Sequence, residues 1–212
     1  MCPGSTPLSP LRLREASAVT RERVPAPSAW WLLIAGVIGL ASSVTLTVEK
    51  IDILADPGYV PSCNFNPILS CGSVMITPQA SLLGFPNPLL GIAGFTVVVV
   101  AGVLAVTKVP LPQWFWVGLT AGILVGAVFV HWLIFQSLYR IGALCPYCMV
   151  VWAVIMTLVV VVLSILVRPS VDGAGAAVRV LFQWRWSIVT LWFTAVFLLI
   201  MVRFWDYWST LL

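Results

Sequence analysis

The chain has 212 residues, 61% of them hydrophobic and only 8% charged, with a mean hydropathy of +1.07. Soluble globular chains carry about 45–50% apolar and about 25% charged residues, so a water-soluble domain is excluded. The formal net charge of +4 could suit a nucleic-acid ligand, but the charges fall where membrane topology puts them, so no nucleic-acid partner is expected.

Residues 1–28 hold Pro3, Pro7, Pro10, Pro25 and Pro27 among Ser and Arg, and read as a disordered cytoplasmic tail. Arg followed by an apolar run also fits a signal peptide cut near Ala41-Ser42-Ser43. The run is longer than the usual h-region, which favours an uncleaved anchor. A first span, Ala29–Val48, meets the roughly 20-residue requirement of a bilayer. A charged collar follows at Glu49, Lys50, Asp52 and Asp56.

From Pro57 to Thr107 the chain then has no Asp, Glu, Lys or Arg. Such a neutral stretch suits a lid over the mouth of a bundle, because irregular backbone at membrane depth needs protein or a water-lined cavity around it. A short helical piece is expected around Ser73–Leu83, with a turn at Pro86-Asn87-Pro88 leading into a second span, Leu89–Thr107. The third span, Trp114–Tyr139, and the fourth, Cys145–Val167, form a tight hairpin through Ile141-Gly142-Ala143-Leu144. A cytoplasmic loop over 168–185 leads to a fifth span, Trp186–Val202, and a short extracytoplasmic end within 186–212. The fold class is all-α, an integral membrane helical bundle. Residues 29–167 make a four-helix domain with an extracytoplasmic cysteine loop over 49–88, and the fifth helix is appended to it.

Arg12, Arg14, Arg21, Arg23, Lys108, Arg168, Arg179 and Arg185 fall on one side of these spans, and Lys50, Arg140 and Arg203 on the other. Short loops rich in Lys and Arg stay cytoplasmic. The N-terminus is therefore expected inside and the C-terminus outside, in a multi-pass protein of the inner (plasma) membrane. Cys63, Cys71, Cys145 and Cys148 then share the extracytoplasmic side, where disulfides persist, and Cys2 is left in the reducing cytosol.

Cys145-Pro-Tyr-Cys148 opens the fourth span. At the first helical turn Cys145 feels unpaired N–H groups and the positive end of the helix dipole, which favour its thiolate. Pro146 suits that turn because its missing N–H would be unpaired there anyway. Cys148 lies about 4.5 Å further along the axis at a rise of about 1.5 Å per residue, hence deeper in the membrane. Electrons entering at the outer sulfur can leave at the inner one to a lipid-soluble acceptor. Two alternatives stand beside this. A static disulfide would remove little chain entropy across so short a loop. Zinc on four cysteines fits one CxxC, but not the wide spacing of Cys63 and Cys71 or the lack of a nearby His, so no metal is expected.

Two cysteines eight apart in the first extracytoplasmic loop, a Pro/Asn turn into a helix, and CxxC opening the fourth span resemble the vitamin K epoxide reductase family over about Ala29–Val167. CPYC and the fifth span make the chain similar to bacterial members. That resemblance implies a four-helix core around a quinone, a menaquinone or a ubiquinone, and a separate DsbA-like thioredoxin-fold partner, since the chain stops at Leu212. Cys63 and Cys71 would be the shuttle pair taking electrons from the partner, Cys71 would exchange with Cys145, and Cys148 would be the quinone-proximal sulfur. Asn87 matches the family's turn asparagine, whose amide could bond a quinone carbonyl; a plain turn residue is an equal reading. Vertebrate members have Tyr one turn after the second CxxC cysteine, where this chain has Trp152. Trp donates through its indole N–H but cannot protonate an oxygen as a phenol can, which counts against epoxide reduction and leaves quinone reduction intact.

His131, inside the third span, is a candidate cofactor contact by the rule that intramembrane polar residues are functional, or else a neutral His bonded to a neighbouring helix. Trp30, Trp31, Trp114, Trp184, Trp186, Trp205 and Trp208 sit near span ends, as an interfacial belt would. The leading reading is a membrane thiol–disulfide oxidoreductase delivering electrons to quinone. Its rivals are a vitamin K quinone or epoxide reductase, a scaffold or transporter with inert disulfides, and an outward carrier of reducing equivalents, which would want cytosolic cysteines.

Overall fold

The computed structural model describes residues 21–22, 24–56, 58–168 and 175–210. Cys2 and most of the proposed tail lie outside them, as does part of the 168–185 loop. The fold is the all-α membrane bundle expected, with five helices long and apolar enough to cross a membrane.

Helix α1 runs Ala26–Ala55, seven residues past the expected end of its span, because Glu49, Lys50 and Asp52 continue the helix beyond its apolar stretch. Pro25 and Ala26-Pro27 start it at a position where a missing N–H costs nothing. At the same end of the molecule Arg21–Glu22 (β1) pairs antiparallel with Leu111–Pro112 (β2), so this part of the tail region is ordered. The loop's expected helical piece is split in two. Helix α2 spans Cys71–Met75, and a 3-10 turn spans Pro78–Ser81 after a break at Thr77-Pro78.

Helices α3 (Pro88–Val106) and α4 (Gln113–Gln136) follow, and α4 ends in a π-helical turn over Ser137–Ile141. Gly142 stops that turn in the left-handed region, φ 73°, where a Cβ would be strained. Helix α5 is Pro146–Val167, with Cys145 as its extended N-cap rather than its first residue. Helix α6 is Ala176–Arg203, starting ten residues before the expected Trp186 because Arg179 and Arg185 are tolerated on an exposed helix. The guanidinium of Arg185 lies 4.2 Å from the Phe182 ring centroid. A last short helix, α7, covers Trp205–Trp208.

Helix α1 packs on α3 and α5, and α5 also packs on α4. The α1–α3 contact is close: a Cβ on Gly102 would come within 2.7 Å of the Leu33 backbone. A buried core of Ala29, Leu32, Phe95, Trp116, Leu158 and Val162 fills the end of the bundle away from the cysteines. Helix α6 differs from the rest, since Val189 is its one buried residue among those described. Trp30, Trp31, Trp114, Trp184, Trp186 and Trp205 are exposed as a belt requires, whereas Trp208 packs inward.

Candidate functional site

Three local devices bring the four cysteines to one end of the bundle. The first is a pair of asparagines in the loop. Asn66 Oδ1 accepts from the N–H groups of Ile68 (3.0 Å) and Leu69 (2.7 Å), a self-contained turn. Asn64 Oδ1 accepts from Gly72 N–H at 3.0 Å and from Ser70 Oγ at 3.2 Å, holding the start of α2. Ser70 caps α2 through its Oγ, which accepts from Ser73 N–H. Cys63 and Cys71 are thereby joined in a disulfide with a Cα–Cα distance of 5.6 Å, within the usual range.

The second device is a bridge between the loop and the hairpin. Leu144 N–H donates to Ile68 C=O at 2.7 Å, and Ser70 N–H donates to Leu144 C=O at 2.9 Å. This pairs Leu69 with Leu144 in parallel, two residues before Cys71 and one before Cys145. The consequence is that the Cys145 thiol sits 3.3 Å from Cys71 Sγ, with both residues fully buried. Cys148 N–H points at the Cys145 sulfur at 3.4 Å, the polar partner a thiolate would want.

The third device is the end of α1. Glu49, only 6% exposed, accepts from Ser62 N–H at 3.3 Å, from Ser62 Oγ, and from the Tyr59 hydroxyl at 3.0 Å. The bond to Glu49 raises the Tyr59 phenol above its ordinary pKa, since it stabilises the protonated form. Its neighbour Lys50 donates to Met75 C=O at 2.6 Å. Two consecutive residues thus clasp the disulfide loop on both flanks. In the sequence both read as part of a charged collar at the outer surface; the available signal is that a chain with so few charges spends two side by side.

Cys145 and Cys148 are free thiols with different surroundings. Cys148 lies on the wall of a cavity of about 500 Å³, the size of a small-molecule site. Its wall is almost wholly apolar and includes Phe95, Phe129, Val130 and Trp152. Glycines 91 and 94 of α3 and 122 and 126 of α4 also border it. Trp152 is 3% exposed, and its indole N–H has no hydrogen-bond partner among the described residues. That donor is itself shielded, as are the unpaired Trp116 and Trp208 indoles, so it would meet a carbonyl-bearing ring only after a small side-chain movement.

Asn87 also borders the cavity, as the residue before α3. Its amide is used within the loop: Oδ1 accepts from Leu82 N–H at 3.1 Å and Nδ2 donates to Gln79 C=O at 2.7 Å. One amide hydrogen remains beyond those two bonds. His131 is placed elsewhere. It is not among the cavity's lining residues, and its ring spans α4 and α6. Nδ1 bonds Ala127 C=O at 2.8 Å, and Nε2 accepts from Trp192 Nε1–H at 2.9 Å.

A membrane bundle that keeps a thiol within reach of a disulfide sulfur, and a second thiol beside an apolar cavity, is equipped for disulfide exchange linked to a lipid-soluble electron carrier. Its class is the membrane thiol oxidoreductases. The chain belongs to the vitamin K epoxide reductase family, whose sequence model matches residues 30–163, more than half of its length. Members of that family are quinone-linked oxidoreductases of the membrane that use a quinone or vitamin K as electron carrier and typically work with thioredoxin-like redox proteins. Among curated proteins no match is found.

Proposed function

We propose that the protein reoxidises a secreted, DsbA-like thioredoxin-fold dithiol protein and passes the electrons through Cys63/Cys71 and then Cys145/Cys148 to a membrane quinone. The observation that carries this reading is the 3.3 Å approach of the Cys145 thiol to Cys71 Sγ. It is the contact an exchange between the two pairs requires.

The steps follow ordinary thiol–disulfide exchange. A partner thiolate attacks Cys63 Sγ and expels Cys71 as thiolate; the partner's second thiol then closes its own disulfide and frees Cys63. Cys71 attacks Cys145 of an oxidised Cys145–Cys148 pair and expels Cys148. Cys63 attacks Cys71, restoring the Cys63–Cys71 disulfide and leaving Cys145 and Cys148 reduced. That last arrangement, one pair bonded and the other free, is the one the structure holds. A quinone, when bound, supplies an acceptor for two electrons and two protons. Toward it the chain contributes the Cys148 thiol, the Trp152 indole, the remaining Asn87 amide hydrogen and a largely apolar wall. The Lys and Arg distribution supports an extracytoplasmic cysteine end.

The test is to mix a reduced secreted thioredoxin-fold protein with the purified chain and a quinone, and to trap thiols by alkylation. The reading predicts catalytic oxidation of that protein, and Cys71→Ala should block it while leaving the Cys145–Cys148 pair able to reduce quinone. Cysteines that stay in fixed pairs whatever the quinone supply would instead favour an inert scaffold.

A further inference from the structure

Helix α6 meets the bundle at a few points, through Trp186 on Trp31, the buried Val189 and the Trp192–His131 bond. Along most of its length it presents apolar side chains outward, with Leu191, Phe197 and Val202 strongly exposed. At its end the pattern changes. Arg203 Nε–H donates to Leu138 C=O at 2.9 Å, inside the π-helical turn that precedes Cys145. Phe204 is buried, 7% exposed, in a cluster with Ile68, Leu138, Leu144 and Trp152. Tyr207 and Trp208 of α7 pack against the same cluster, as does Cys148.

These partners are the ones that set the relay. Leu144 makes both bonds of the bridge that places Cys71 beside Cys145, donating to Ile68 and accepting from Ser70. Leu138 lies in the turn whose Ser137 C=O accepts from Gly142 N–H and so fixes the approach to Cys145. A π-turn breaks the regular helical ladder, and the Arg203 guanidinium bonds one of its carbonyls. Phe204 packs against Ile68 and Leu144, the residues on either strand of the bridge.

We propose that the end of the fifth span is a buttress: Arg203 and Phe204 are positioning residues that hold the Leu69–Leu144 bridge and thereby the Cys71–Cys145 approach. The fifth helix then serves the internal exchange step rather than the cavity, and the His131–Trp192 bond is a second fastening of the same helix. The inference rests on the relay reading above, and its test separates the two.

In a full-length Cys63→Ala, Cys148→Ala background, only Cys71 and Cys145 remain at the relay. Equilibration with glutathione forms their disulfide as one glutathione disulfide takes up two electrons and two protons and becomes two glutathiones. The equilibrium constant is the effective concentration of one sulfur at the other. Phe204→Ala should lower it about tenfold, a shift of about 30 mV for this two-electron couple. Arg203→Gln, which removes one hydrogen bond to a charged donor and leaves the packing, should lower it about fivefold. Phe204→Leu should restore most of the loss, and Leu191→Ala on the exposed face of α6 should change nothing. Thermal unfolding shows which variants are folded; if Phe204→Ala is not, Arg203→Gln carries the test. Unchanged constants in folded Phe204→Ala and Arg203→Gln overturn the buttress, and so does an equal fall in Leu191→Ala, which would mean general loosening. If the parent background forms no Cys71–Cys145 disulfide at all, the relay itself is refuted.

Discussion

Cys63 is only 3% exposed, so an incoming thiolate reaches its sulfur when the 59–62 segment lifts, and Glu49 is what holds that segment down. Glu49→Gln keeps the shape but replaces one acceptor oxygen with an NH₂ donor facing Ser62. A hydrogen bond to a charged group contributes about 1.5–3 kcal/mol, and glutamine keeps one oxygen, so the lower end applies. At about 1.4 kcal/mol per factor of ten, the loop should open roughly tenfold more often. The assay is the rate at which glutathione reduces the Cys63–Cys71 disulfide, read by alkylation in a background with Cys145 and Cys148 replaced by Ala. A rate within about twofold of the parent would show that Glu49 does not control access, because the predicted opening exceeds that margin.

Other predictions follow from the same geometry. Trp152→Phe removes the unpaired indole N–H while keeping an aromatic wall, so the KM for quinone should rise several-fold with little change in kcat; an unchanged KM would remove Trp152 from the ligand's contacts. Gly102→Ala drives a methyl into the Leu33 backbone and should lower the stability of the bundle by about 1–3 kcal/mol, measured by thermal unfolding in detergent. Because Tyr59 is held in its protonated form, its bond to Glu49 persists through the ordinary tyrosine range and is lost only as pH rises past its raised value. An ultraviolet titration, differenced against Tyr59→Phe, should show that shift and should lose it in Glu49→Gln. His131→Asn should leave the KM for quinone unaltered while loosening α6, since its ring contacts Ala127 and Trp192 rather than the cavity.

The spans were legible because hydropathy is a sum over many residues, and no single side chain decides it. Their ends were less so. Helix α1 continues through Glu49 to Ala55, and α6 starts at Ala176 despite two arginines, because a charged helix remains a good helix once it leaves the apolar layer or lies exposed. The cysteine pairs could be read from spacing and topology, since the start of a helix gives a CxxC thiol unpaired N–H groups that a mid-helix thiol lacks. What set them 3.3 Å apart was not readable. The Leu69–Leu144 bridge joins two segments far apart in sequence through backbone groups, and backbone groups carry no residue signature. His131 shows the same limit: an intramembrane histidine announces a polar need, but only the fold shows that Trp192 meets it.

The measurement closest to the central claim is a single turnover without oxygen. A Cys63→Ala, Cys71→Ala chain, in which the disulfide cannot pass on to the outer pair, is reduced, freed of reductant and mixed with quinone, and quinol and the Cys145 and Cys148 thiols are counted together. The account predicts one quinol for each Cys145–Cys148 disulfide formed, and none from Cys148→Ala. Quinol formed at the parental rate by Cys148→Ala, or quinone consumed while both thiols remain free, would contradict it.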